Sequence, residues 1–85
     1  MKQLNRQQIM SILSELDLMP AIENGFVQYS KGNVVVPPVG ELLMDKGEVH
    51  IKYGYVKADD YFVIKVASGF YQNPEIGLSS SNGLM

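Results

Sequence analysis

Lys65 is the residue of this sequence whose type and surroundings point most directly to chemistry. It carries the only charge in the apolar run of residues 61–67. If that run is a β-strand, alternation places this side chain beside Tyr61, Val63 and Ala67, none of which is strongly polar. An unpaired charge there is costly, so the ammonium group either pairs with an anion in a pocket or reaches water from an edge strand. The residue pattern alone favours the second arrangement, because lysine is rarely buried without a partner.

His50 and Lys52 alternate with apolar residues along residues 49–55, so they share one face of a second predicted strand. The chain contains one histidine and no cysteine, and a transition-metal site would therefore need carboxylates as well. We predict no metal site and interpret these two side chains as the polar side of an amphipathic strand.

Motifs for nucleophilic catalysis and nucleotide binding are absent from the sequence. Ser68 and the serines at residues 79–81 lie in no G-x-S-x-G motif, and no partner base is evident. The sequence contains neither a G-x-G-x-x-G fingerprint nor a P-loop. We therefore predict no catalytic residue and no cofactor-binding residue within the 85 residues.

Two helices are predicted at the start of the chain. Asn5 followed by Gln8 is typical of a capping box, and apolar residues recur at helical spacing from Ile9 onward. Pro20 is predicted to be the first residue of a second helix, and Gly32 to end that helix.

Strands are predicted after the second helix. They cover residues 34–36, 41–44, 49–55 and 61–66, whereas the Gly-, Ser-, Asn- and Pro-rich tail from Ser68 is predicted to be a loop. Helices followed by strands favour the α+β class. We expect one domain of residues 1–85, with two N-terminal helices packed on a small, mainly antiparallel sheet.

Charge and hydropathy argue against two classes of partner. The net charge is -2 and the seven Lys and Arg residues are scattered singly, whereas nucleic-acid binding needs clustered positive charge. No apolar stretch approaches the roughly 20 residues of a membrane span, and no signal-type segment follows the polar start. We therefore expect no nucleic-acid partner, no membrane partner and, with no cysteine present, a cytoplasmic protein.

An ordered series of short matches over residues 34–85 resembles the N-terminal part of the ornithine cyclodeaminase and mu-crystallin family. The most specific match is the stretch I-K-V-A-S-G-F-Y at residues 64–71. The others lie at residues 36–41, 54–57, 73–74, 77–78 and 80–85.

The resemblance implies a substrate and dimerisation domain, which in this family precedes a Rossmann domain that carries NAD(H) or NADP(H). Enzymes of the family act on amino acids or imino acids. Lys65 matches the family lysine that contacts the substrate carboxylate, so the resemblance favours a pocket-facing Lys65 that binds a small carboxylate.

Two departures from the family pattern affect these expectations. The family often has an arginine shortly after the proline of the first strand, and Gly40 is predicted to occupy that position. A glycine cannot make the bidentate contact of an arginine. The Rossmann domain and the family's catalytic aspartate are not expected within these residues, so the chain is predicted not to be an enzyme by itself.

Three functional hypotheses follow. The first is a stand-alone, non-catalytic domain that forms homo-oligomers and binds a small carboxylate. The second is a subunit or a cut piece of an NAD(P)-dependent amino-acid or imino-acid enzyme whose Rossmann domain lies elsewhere. The third is an unrelated interaction module that interferes with full-length relatives by forming mixed dimers with them.

The chain is expected to form a homodimer or a higher symmetric oligomer in solution. The predicted strand at residues 61–66 is apolar on both faces, and two short helices can cover only one face of the sheet. A partner chain is therefore predicted to complete or cover the sheet.

Overall fold

The computed structural model describes residues 1–85, which divide into two compact units, Met1–Lys31 and Gly32–Met85. The first unit is helical and the second contains all of the strands. The α+β class and the mainly antiparallel sheet are thereby confirmed, and each unit is described by itself.

The helical unit contains α1 (Arg6–Leu13) and α2 (Met19–Ser30). Asn5 caps α1 as predicted, because its side chain accepts a hydrogen bond from the Gln8 backbone while the Gln8 side chain accepts one from the Asn5 backbone. Pro20 is the second residue of α2 rather than the first, a difference of one position. Gly32 follows the helix with φ +73°, a conformation that glycine adopts without strain. None of the helices is long and apolar enough to cross a membrane.

The second unit is one antiparallel sheet, and β3 is its centre. Its strands are β1 (Val34–Val35), β2 (Gly40–Met44), β3 (Gly47–Val56), β4 (Phe62–Gly69) and β5 (Ser81–Leu84). The order is β1-β3-β4-β5, and β2 pairs with the first half of β3. A 3₁₀ turn, Asn73–Ile76, lies between β4 and β5.

The predicted loop from Ser68 onward is wrong in two places. Strand β4 continues to Gly69, and β5 pairs with it from Val66↔Leu84 to Gly69↔Ser81. A Cβ added at Gly83 would lie 2.9 Å from the carbonyl oxygen of Val66. The small residues that suggested a loop therefore permit close approach of two backbones in a strand.

Apolar side chains are widely exposed in this structure. No hydrophobic residue is fully buried, and Phe62 in β4 is 73% exposed. Soluble monomers rarely leave large apolar patches uncovered, so exposed apolar surface on a sheet is typical of an interaction surface.

Candidate functional site

The sheet carries two chemically different faces because residues paired across antiparallel strands point to the same side. One face, the polar face, carries His50 and Lys52 of β3 opposite Ala67 and Lys65 of β4, with Glu48 and Glu41 nearby. The other, the apolar face, carries Val49, Ile51, Tyr53, Tyr55, Phe62, Ile64 and Val66.

Lys65 lies directly opposite Lys52 in the pairing of β3 with β4. Directly opposed Cβ atoms in antiparallel strands are about 5 Å apart, and like charges at such positions destabilise the pairing. Both side chains are exposed, and neither forms an ion pair or a hydrogen bond within the described chain. The polar face therefore presents two cationic groups close together without a protein anion between them.

The two lysines line a small depression of about 100 Å³, together with His50 and Ala67. They also border a wider, mostly apolar concavity of about 430 Å³, whose wall includes Tyr61 and Val63. Lys65 is thus exposed and beside a cleft, so it has room for a ligand. That Lys65 binds a carboxylate stays a prediction.

His50 belongs to a second group of polar side chains that the sequence analysis did not assemble. Its Nε2 lies 3.4 Å from Oε1 of Glu41 and 4.0 Å from Oε2 of Glu48. The hydroxyl of Tyr71 donates a hydrogen bond of 2.9 Å to Oε1 of Glu48. This bond and the negative charge of Glu48 raise the pKa of Tyr71, because the phenolate would face a carboxylate.

Glu41, Glu48 and His50 each place one potential metal-ligand atom within 4.8 Å of the others. The carboxylates that a metal site would need are thus present beside His50. The alternation of the sequence predicted only that His50 shares a face with Lys52. These groups also satisfy one another through the contacts just given. The prediction of no metal site is not tested by this arrangement. The turn at residues 45–46 could have revealed this cluster from the sequence. A hairpin with a two-residue turn there pairs Met44 with Gly47 and therefore Glu41 with His50.

Gly40, the predicted substitute for the family arginine, lies on the other side of the sheet from Lys65. It pairs with Ile51, whose side chain belongs to the apolar face. A side chain at position 40 would therefore point away from Lys65. Position 40 therefore does not belong to the polar face that carries Lys65.

The fold is shared with a solved structure. The chain is similar to an archaeal alanine dehydrogenase, solved as a dimer with bound NAD, with a TM-score of 0.72 and 25% sequence identity. The match covers 86% of this chain and 23% of the dehydrogenase chain. The chain thus has the α+β architecture of one part of a dehydrogenase of this type.

Two curated relatives identify the type more closely. The chain is 36% identical over 88 residues to a protein of Rhizobium meliloti that is named provisionally as a dehydrogenase. It is 38% identical over 74 residues to an uncharacterized cyclodeaminase of Sinorhizobium fredii. No protein-family model matches the chain. The predicted resemblance to the N-terminal part of ornithine cyclodeaminase-like proteins is confirmed, whereas the relationship to mu-crystallin stays a prediction.

The chain spans about a quarter of the length of these relatives. The matches cover 89% and 84% of this chain but only 27% and 22% of the two curated proteins. The activities in the relatives' names therefore belong to much longer proteins.

Proposed function

We propose that this chain is an oligomerisation and small-carboxylate-binding domain of the ornithine cyclodeaminase-like type, and that it has no catalytic activity of its own. The observation that carries the proposal is Lys65, an exposed cation without a protein partner beside a cleft on the polar face. A carboxylate would give its ammonium group a charge-assisted hydrogen bond. The compartment that we propose is the cytoplasm, consistent with a sequence that contains no cysteine.

The names of the similar proteins support a carboxylate as the ligand. Alanine dehydrogenase is named for an amino acid, which carries a carboxylate, and the Sinorhizobium fredii relative is named as a cyclodeaminase. The wider concavity beside Lys65 has an apolar wall that includes Tyr61 and Val63. A ligand with a carboxylate at one end and a small hydrocarbon body fits this combination.

A titration of the ¹⁵N-labelled chain with L-alanine, followed by NMR, tests the proposal. We expect the amide signals around Lys65 to shift, and L-alaninamide, which lacks the carboxylate, to leave them in place. The K65Q variant is expected to bind about tenfold more weakly or worse, because one charge-assisted hydrogen bond is lost. K46Q is the matched control, since Lys46 lies in the turn between β2 and β3 and lines neither concavity.

Equal affinity of K65Q and the unchanged chain would contradict the assignment of Lys65. No shift with L-alanine, L-ornithine or pyruvate up to the millimolar range would contradict carboxylate binding as a whole.

The alternative is that the chain is part of an NAD(P)-dependent amino-acid or imino-acid enzyme whose dinucleotide domain lies elsewhere. The bound NAD of the similar alanine dehydrogenase favours this candidate. Fluorescence titration with NADH and NADPH separates the two. Our proposal expects no binding by the 85-residue chain, which contains no glycine fingerprint, and micromolar binding would contradict it. The third hypothesis, mixed dimers with full-length relatives, would use the same oligomerisation surface.

A further inference from the structure

We propose that Lys52 is a second ligand-binding cation, and that one carboxylate is held between Lys52 and Lys65. The inference rests on the proposed carboxylate site. It gives Lys52 a binding role, whereas the sequence pattern predicted only a solvent-facing side chain on the polar side of a strand.

The sheet register brings the two lysines together. Lys52 of β3 and Lys65 of β4 are direct partners, so their side chains leave the sheet on the same face and at the same level. Both line the same depression of about 100 Å³. Both therefore border the space that a ligand carboxylate would occupy.

The neighbouring positions leave room between the lysine side chains. Ala67, two residues beyond Lys65, offers only a methyl group opposite His50. On the other side, Gly54 lies opposite Val63, and the backbone of Val35 and Val36 closes the space over Gly54. The open space therefore lies on the Ala67 side, in the depression that both lysines line, and it suits a ligand of a few atoms.

Charge also favours an anion between these two residues. Two lysines directly opposite each other repel, and the repulsion is relieved when an anion bridges them. Glu41 and Glu48 contact His50, and Glu48 also accepts the hydrogen bond of Tyr71. Asp59 borders the wider concavity with both lysines but forms an ion pair with neither. The lysine pair thus carries positive charge that no protein carboxylate neutralises, and a ligand carboxylate would neutralise it.

Residue 40 cannot supply the second cation. Gly40 pairs with Ile51 and lies on the apolar face, whereas Lys52 lies on the polar face beside Lys65. Two ammonium groups act as separate point charges, in contrast to the planar fork of arginine. The geometry therefore points to a carboxylate held by two independent lysine contacts.

The test measures L-alanine affinity by NMR for the unchanged chain and for K52Q, K52R, K65Q and K57Q. We expect K52Q to weaken binding about tenfold, as K65Q does, because each removes one charge-assisted hydrogen bond. K52R keeps the charge and is expected to retain most of the affinity. K57Q removes a positive charge from the turn after β3, so unchanged affinity in that variant shows that net charge is not the cause.

A direct reading on the unchanged chain avoids dependence on variant folding. In chain labelled with ¹³C at the lysine side chains, L-alanine is expected to shift the ε-methylene signals of both Lys52 and Lys65 with one common dissociation constant, and L-alaninamide is not. Binding that is lost in K65Q but kept in K52Q, with only the Lys65 signal shifting, would overturn this inference and leave the proposed function standing. No binding of L-alanine, L-ornithine or pyruvate by the unchanged chain would overturn both.

Discussion

Tyr71 is the titratable residue whose pKa responds most clearly to the surroundings in this fold. Its hydroxyl donates to Glu48, and the carboxylate both accepts this bond and repels the phenolate, so the pKa of Tyr71 is raised. We expect E48Q to lower the pKa of Tyr71, as measured from the ¹³C shift of the tyrosine ring during an alkaline titration. E41Q is the control, because Glu41 contacts His50 and not Tyr71.

The same contact predicts a direction for stability against pH. Because the pKa of Tyr71 is raised by folding, the stabilisation is fully present below the unfolded value of about 10 and is lost as the pH rises through the folded value. The unchanged chain should lose more stability than E48Q over this range, as followed by urea unfolding at successive pH values. An identical pH dependence in both proteins would show that the hydrogen bond does not persist in solution.

At the residue scale, the sequence pointed to Lys65 but not to Lys52, the residue directly opposite it in the sheet. A lone charge in an apolar run is visible in the sequence, whereas the pairing with Lys52 depends on the register between β3 and β4. The contact between Tyr71 and Glu48 joins residues 23 positions apart and depends on the chain direction after β4. Such contacts follow from tertiary structure and leave no periodic signal.

At the element scale, two glycines predict opposite effects of the same substitution. A Cβ at Gly54 in β3 would lie 2.5 Å from the carbonyl oxygen of Val35, whereas a Cβ at Gly25 in α2 would meet nothing within 4 Å. G54A is expected to lower the free energy of unfolding by roughly 1–3 kcal/mol, because backbone must move. G25A should raise it by about 1 kcal/mol through helix propensity.

Urea unfolding at a single protein concentration checks both substitutions, since assembly makes stability depend on concentration. A G54A variant as stable as the unchanged chain would mean that β1 does not lie against β3 at this point. Equal destabilisation by G25A would mean that α2 does not form over Gly25.

The elements were predictable to the extent that their signals are local. The capping box at Asn5, the turn at residues 45–46 and the alternation along β3 each lie within a few residues, and the structure contains all three. Strand β5 was missed because the first three of its four residues are small or polar, and because it pairs with the far end of β4. Its strand conformation is set by that pairing rather than by intrinsic propensity.

At the scale of the whole molecule, the apolar face predicts assembly. Phe62 and Ile64 on this face are 73% and 48% exposed, and no hydrophobic residue of the chain is fully buried. We expect a homodimer or a higher symmetric oligomer, with an interface above about 1,000 Å² and an apolar centre. Sedimentation at micromolar concentration should give at least twice the chain mass of 9.5 kDa.

A pair of variants locates the interface. F62S removes an exposed aromatic ring from the apolar face and should shift the equilibrium toward the monomer. V63S changes the next residue, which points to the polar face and is 50% exposed, and should leave the assembly unchanged. A mass near 9.5 kDa at every concentration of the unchanged chain would refute the assembly proposal.

The alternation of faces along β3 and β4 also constrains how sequences of this type can diverge in length. Deleting one residue inside β4 would turn every later side chain to the opposite side, so a lysine would enter the apolar face and an isoleucine the polar face. Deleting two residues would restore the alternation. Length differences among related chains are therefore expected in the turns at residues 45–46 and 57–60. A longer or shorter turn leaves the side chains within each strand on their original faces.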